Sequence, residues 1–196
     1  MNPAPHARDA LAMASFAALC LLALLVVLPD GPLALARMAG VPGADASATS
    51  IRWVLAGDTL MPIGYGAGFV LLAFALGGAG RFALVTSGFA LTGVAFDFVE
   101  NGAALAGTAM PMATVAKYGL LGIAAFLLGA GMDGRNAAER LARPIAKFVT
   151  PVFLAVTITK ALGEWTVWLF VPTLVATFAL LAAVAHGRIR ALRESL

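Results

Sequence analysis

The chain is poor in the residues that most enzymes and soluble domains rely on. It has one cysteine, Cys20, so no disulfide can form within it. Cys20 lies deep in an apolar run and reads as a packing residue. Its two histidines are His6, in a polar leader, and His186, near the end of the last apolar run. That is too few, and too badly placed, for a haem, copper or His-rich zinc site. Charged residues make up 12% of the chain, about half the roughly 25% of a soluble domain. There is no His-Glu-x-x-His helix, no serine or threonine beside a histidine, and no flavin or nicotinamide fingerprint. No cofactor is implied. Period-two alternation is missing, which argues against a β-barrel. No basic face interleaved with aromatics appears, so nucleic acid is not an expected partner.

What is present is hydrocarbon. Of 196 residues, 61% are hydrophobic, and several runs approach or exceed the roughly 18 residues that span a bilayer. The expected fold is all-α: a single polytopic membrane helix bundle over residues 1–196, with six transmembrane helices. The spans are read at Leu11–Leu28, Thr59–Gly78, Phe82–Ala106, Met112–Gly131, Ile145–Leu162 and Trp165–Ala185. The fifth is the most diluted, by Pro144, Pro151, Thr157, Thr159 and Lys160, and a re-entrant fifth segment is the alternative. The first run is too long for a signal-peptide core of about 7–15 residues, so it reads as a retained helix.

Basic residues fall on alternate loops. Arg8 precedes span one, Arg81 lies between spans two and three, Arg135, Arg140, Arg143 and Lys147 follow span four, and Arg188, Arg190 and Arg193 follow span six. The positive-inside rule then places both termini in the cytoplasm, in a bacterial-type inner membrane. The arginine-rich loop after span four is suited to anionic head groups, so membrane lipids are expected partners. Residues 29–58 form a long outer loop rich in Gly, Pro, Ala and Ser. Leu33–Met38 and Ile51–Ala56 are candidate interfacial helices within it, the second anchored by Trp53.

One feature breaks the apolar pattern. Phe96-Asp97-Phe98-Val99-Glu100-Asn101 sits inside span three, where an ionised side chain costs several kcal/mol unless it has a partner or a task. Asp97, Glu100 and Asn101 stand at i, i+3 and i+4, on one face. Gly93, Ala90 and Thr86 continue that face inward with small side chains. At 1.5 Å per residue, Asp97 lies about 22 Å beyond Phe82, in the outer quarter of the hydrocarbon. Lys117 lies about 7 Å below the outer end of span four, and Tyr65 about 9 Å below that of span two. The three are expected to share one layer, with Asp58, Glu100, Asn101, Lys160 and Glu164 above them and Trp165 and Trp168 on the rim. Asp58 also reads as an N-cap of span two. Gly64 and Gly68, and Gly119 and Gly122, suit close helix contact.

The candidate ligand- or ion-binding pocket is therefore Asp97, Glu100, Asn101, Lys117, Tyr65 and Asp58, opening outward between spans two, three, four and five. Two carboxylates beside one lysine leave excess negative charge for a cation, a proton or acid–base work. Against this stands a structural clasp: span three stops at Val99, Asn101-Gly102 ends the helix, and Lys117 snorkels to water. Three functions follow from these readings. They are proton- or cation-coupled transport of a small solute, with a homodimer expected at this size; a non-catalytic accessory or assembly subunit with a membrane-protein partner; and an intramembrane enzyme on a lipid-like substrate, with Asp97 or Glu100 as acid or base.

Overall fold

The structure is a computed structural model that describes residues 3–27, 30, 34, 47–108, 110–159 and 165–194. Among the described residues every regular element is helical. Helix α1 is Pro3–Val27, α2 Ala48–Gly77, α3 Arg81–Leu105 and α4 Pro111–Gly131. Helix α5, Ala137–Pro144, continues through a π-helical turn, Ile145–Val149, into α6, Thr150–Thr159; α7 is Trp165–Glu194. Three of these helices, α2, α3 and α4, are long and apolar enough to cross a membrane, with mean hydropathies of 1.8, 1.7 and 1.6. Leu84, Leu91, Met112, Ile123 and Phe126 point outward from them. A surface of that kind suits hydrocarbon rather than water, and the protein is membrane-embedded.

Small residues set the packing. Helix α1 buries Ala7, Ala10, Ala14 and Ala17, a stripe at helical spacing. The glycines of α2 answer it: a methyl on Gly64 would lie 2.8 Å from the Ala17 Cβ, and one on Gly68 would lie 3.8 Å from the Ala14 nitrogen. Gly66 faces the other way, onto Val94 of α3. Gly93 of α3 lies against Leu121 and the Lys117 carbonyl, where a methyl would be 3.0 Å and 3.4 Å away. Backbone approach at Gly93 thus brings α3 and α4 together beside the acidic cluster. Leu72, Leu128, Met132 and Val184 fill the centre.

Several boundaries differ from the sequence reading. Helix α2 begins at Ala48, not near Thr59. Ser47 is its N-cap, accepting a hydrogen bond from the Ser50 N–H at 3.1 Å. Ile51–Ala56 is therefore the start of α2 rather than a separate interfacial helix, and Asp58 is an interior helix residue, not a cap. The apolar threshold that marks a span misses this polar first section, which the serine cap and continuous backbone bonding carry. Helix α3 does not stop at Val99. It runs to Leu105, and Gly107, at φ 72°, takes the left-handed position just beyond the end. Among the described residues nothing lies within 4 Å of a methyl placed on Gly119, where close contact was expected, whereas one on Gly122 would meet Pro151 of α6 at 3.7 Å. Most of the loop over 29–46, including Leu33–Met38 apart from Ala34, lies outside the described residues, as do Lys160, Ala161, Leu162 and Glu164 and the side chains of Trp165 and Trp168.

Candidate functional site

Helices α2 and α3 form a hairpin closed by a three-residue turn, with Gly78 at φ 61°. The next hairpin, α3–α4, turns through 106–110 and restarts at Pro111, which needs no intrahelical N–H at that position. Three adjacent helices thereby run antiparallel, and their polar residues meet near the 106–110 turn.

Asp97 is buried at 4% exposure and Lys117 at 8%. The Lys117 Nζ donates to Asp97 Oδ1 at 3.0 Å. The Tyr65 hydroxyl donates to Asp97 Oδ2. Lys117 also pairs with Glu100 Oε2, and the Thr114 hydroxyl donates to Glu100 Oε1. The ammonium sits 4.6 Å from the centre of the Tyr118 ring, a cation–π contact. Asn101 is buried on the same face as Asp97. Half-buried Asp58 faces this group from α2: Asp97, Lys117 and Glu100 all act on it electrostatically, and Asn101 is its polar neighbour. The Asn101 amide nitrogen approaches Asp58 without reaching standard hydrogen-bond geometry.

All six residues singled out from the sequence thus converge. Asp97, Lys117 and Tyr65 share a layer, as the rise per residue required, and Glu100, Asn101 and Asp58 adjoin it. The groups come from α2, α3 and α4. The sequence reading also placed span five there, through Lys160 and Glu164, which lie outside the described residues. An apolar crevice lies elsewhere in the bundle, between Phe69, Leu128, Ala146, Thr177 and Leu181.

The charge balance decides the chemistry. Asp58, Asp97 and Glu100 are three carboxylates and Lys117 is one cation, so the layer carries two excess negative charges if every group is ionised. By insertion scales an Asp at mid-helix costs about 2.5–3.5 kcal/mol in a membrane. Lys117 offsets one such charge, and the Tyr65, Thr114 and Lys117 donors satisfy the oxygens of Asp97 and Glu100. Among the described residues no group of three or more His, Cys, Asp or Glu side chains is arranged to hold a metal ion.

Two features escaped the sequence. Thr114 caps Glu100 from α4, one turn before Lys117; its signal was the i, i+3 spacing to that lysine. The second is an ion pair at the other end of the bundle. Glu139, fully buried, pairs with Arg188 of α7. It also accepts from the N–H groups of Gly134 at 3.1 Å and Arg135 at 3.2 Å, and from the Asn136 amide at 3.4 Å. Asn136 is the N-cap of α5, and its oxygen accepts the Glu139 N–H at 2.9 Å. The Asn-x-x-Glu spacing is a capping-box pattern that marks this site in the sequence. No family model, curated protein or solved structure matches this chain.

Proposed function

We propose that the chain is a six-span inner-membrane protein with both termini in the cytoplasm, and that its acidic layer couples a proton or small cation to the passage of a small solute. The observation that carries this reading is the surplus of carboxylates. Lys117 pairs with two of them, and the third, half-buried Asp58, faces the pair from a neighbouring apolar helix. A layer held only for structure needs one carboxylate per cation; the surplus calls for a mobile positive charge. Helix lengths support the added spans: α1 has 25 residues and α7 has 30, and α5 leads through the π turn into α6 without a break.

The test is flux into vesicles. The purified full chain is reconstituted with a trapped pH-sensitive dye, and an inward proton gradient is imposed. The reading expects proton entry above that of empty vesicles and its loss in Asp97→Asn, with expression and elution unchanged. Flux equal to that of empty vesicles, for protons and for sodium or potassium, overturns it.

A second reading is favoured by a different observation, the direct contact of Lys117 with both Asp97 and Glu100. In it the pair fixes the register of α3 against α4, in an accessory subunit that binds another membrane protein. Replacing Asp97 and Lys117 together by apolar residues then preserves both folding and partner binding. On the transport reading the same double substitution abolishes flux.

A further inference from the structure

The surplus charge has a location. We propose that the exchangeable proton of this layer resides on Asp58, loaded from the outer side, with Asn101 as its positioning residue; this rests on the proton-coupled reading above. Three carboxyl groups compete for that proton. Both oxygens of Asp97 are engaged, by Lys117 and by the Tyr65 hydroxyl. Both oxygens of Glu100 are engaged as well, by Lys117 and by the Thr114 hydroxyl. The ion pairs of Lys117 go to Asp97 and Glu100 and not to Asp58. Asp58 faces two carboxylates that already hold the cation, and like charges in a shared low-dielectric layer do not all ionise.

The surroundings of Asp58 suit a carboxylic acid. It lies seven residues before Tyr65, on the same face of α2 and about 10 Å further toward the Ala48 end. Asn101 lies one turn beyond Asp97 on α3, which runs the opposite way, so the two side chains adjoin. Asn101 is 4% exposed, and its amide nitrogen has no partner of standard geometry. A buried amide left in that state costs about 1–3 kcal/mol. The amide N–H finds an acceptor on Asp58 in either protonation state, and only the acid also returns an O–H to the amide oxygen. Pro62 adds to this polarity, because it offers no N–H to the Asp58 carbonyl four residues earlier. The charged and titratable groups facing Asp58 are Asp97 and Glu100 from α3, Lys117 and Tyr118 from α4 and Tyr65 from its own helix. Asp58 is half-buried where Asp97 is closed off, so a proton reaches it first.

Infrared difference spectroscopy tests this on the full chain in lipid nanodiscs, with pH steps and exchange into heavy water. The wild type is expected to show one protonated-carboxyl C=O band in the folded protein. Asp58→Asn removes the band, Glu100→Gln leaves it, and Asn101→Ala shifts it to the higher frequency of an acid without an amide partner. Asn101→Gln returns it toward the wild-type position. Asp58→Glu, which keeps the acid, retains a shifted band. A band that survives Asp58→Asn and vanishes in Glu100→Gln or Asp97→Asn overturns the assignment and leaves proton coupling intact. A wild type with no such band, yet with proton flux, also overturns the assignment alone. A wild type with neither overturns both.

Discussion

Glu139 and Asp97 are both buried carboxylates paired to a cation from a neighbouring helix, and their surroundings differ in kind. Glu139 is saturated. Two backbone N–H groups, the Asn136 amide and the Arg188 guanidinium all converge on it, and Arg188 has a further carboxylate, Asp133, 3.9 Å away at the surface. Asp133 in turn pairs with Arg135 at 2.7 Å. Charges there balance two against two. At the other end, two carboxylates share one lysine, a third faces them without an ion pair to it, and the nitrogen of a buried amide lacks a partner of standard geometry. The balanced cluster sits where α5 meets α7 and reads as a fastening. The unbalanced one sits among three helices long and apolar enough to cross a membrane, where an unneutralised charge is costly. What separates a fastening from a working site is thus the surplus, not the burial or the ion pair.

The comparison breaks most easily at the fastening. Arg188→Ala leaves Glu139 buried without a cation and is expected to cost about 3–5 kcal/mol, read as a lowered unfolding temperature in detergent. Acid should restore it only in part, because the three N–H donors left on Glu139 bind a carboxylate more strongly than a carboxylic acid. The paired change Glu139→Gln with Arg188→Met should recover most of the loss. If Arg188→Ala proves neutral, the fastening is misassigned.

Lys117→Met sharpens the contrast. It too strands buried carboxylates, at a cost of about 3–5 kcal/mol near neutral pH. Here protons can replace the lost cation, so the deficit should shrink as pH falls. The sign is set by linkage: a folded state that binds protons more tightly than the unfolded state gains stability on acidification. Equal pH responses in Lys117→Met and Arg188→Ala would erase the distinction between the two clusters.

Tyr65→Phe has a smaller expected effect. It removes one hydrogen bond to an ionised carboxylate, worth about 1.5–3 kcal/mol. On the transport reading it also frees an oxygen of Asp97 to compete with Asp58 for the proton, so flux should fall further than stability does. A loss of stability with flux unchanged would return Tyr65 to the role of a packing residue.

How much of this was legible in advance depended on periodicity. Asp97, Lys117 and Tyr65 came together because a helix has a fixed rise, and three apolar runs fixed where counting began. The helices that carry them end within a residue or two of the expected points. Asp58 was misread because hydropathy finds where a helix becomes apolar, not where it begins; Ser47 caps α2 a full eleven residues earlier. The Glu139–Arg188 pair was hidden by distance along the chain. Its residues stood among basic loop residues that looked solvated, and only tertiary packing brings α7 onto α5. Gly119 carried the same composition signal as Gly93, yet faces outward, since a small residue permits contact without directing the neighbour to it.

The finest discrimination lies in the two side chains that hold each carboxylate by a single hydrogen bond. Asn136→Ala removes the N-cap of α5 together with one donor to Glu139, and should cost about 1 kcal/mol. Thr114→Val removes the hydroxyl on Glu100 at nearly constant volume, for a similar cost of about 1 kcal/mol. The consequences should diverge all the same. Glu139 keeps Arg188 and two backbone donors, so Asn136→Ala changes stability and nothing else. Glu100 keeps only Lys117, which Asp97 also claims, so Thr114→Val makes Glu100 a rival site for the proton and broadens the pH dependence of flux. A Thr114→Val profile that overlays the wild type would mean that Glu100 lies outside the proton's reach, and that the surplus charge is shared by Asp58 and Asp97 alone.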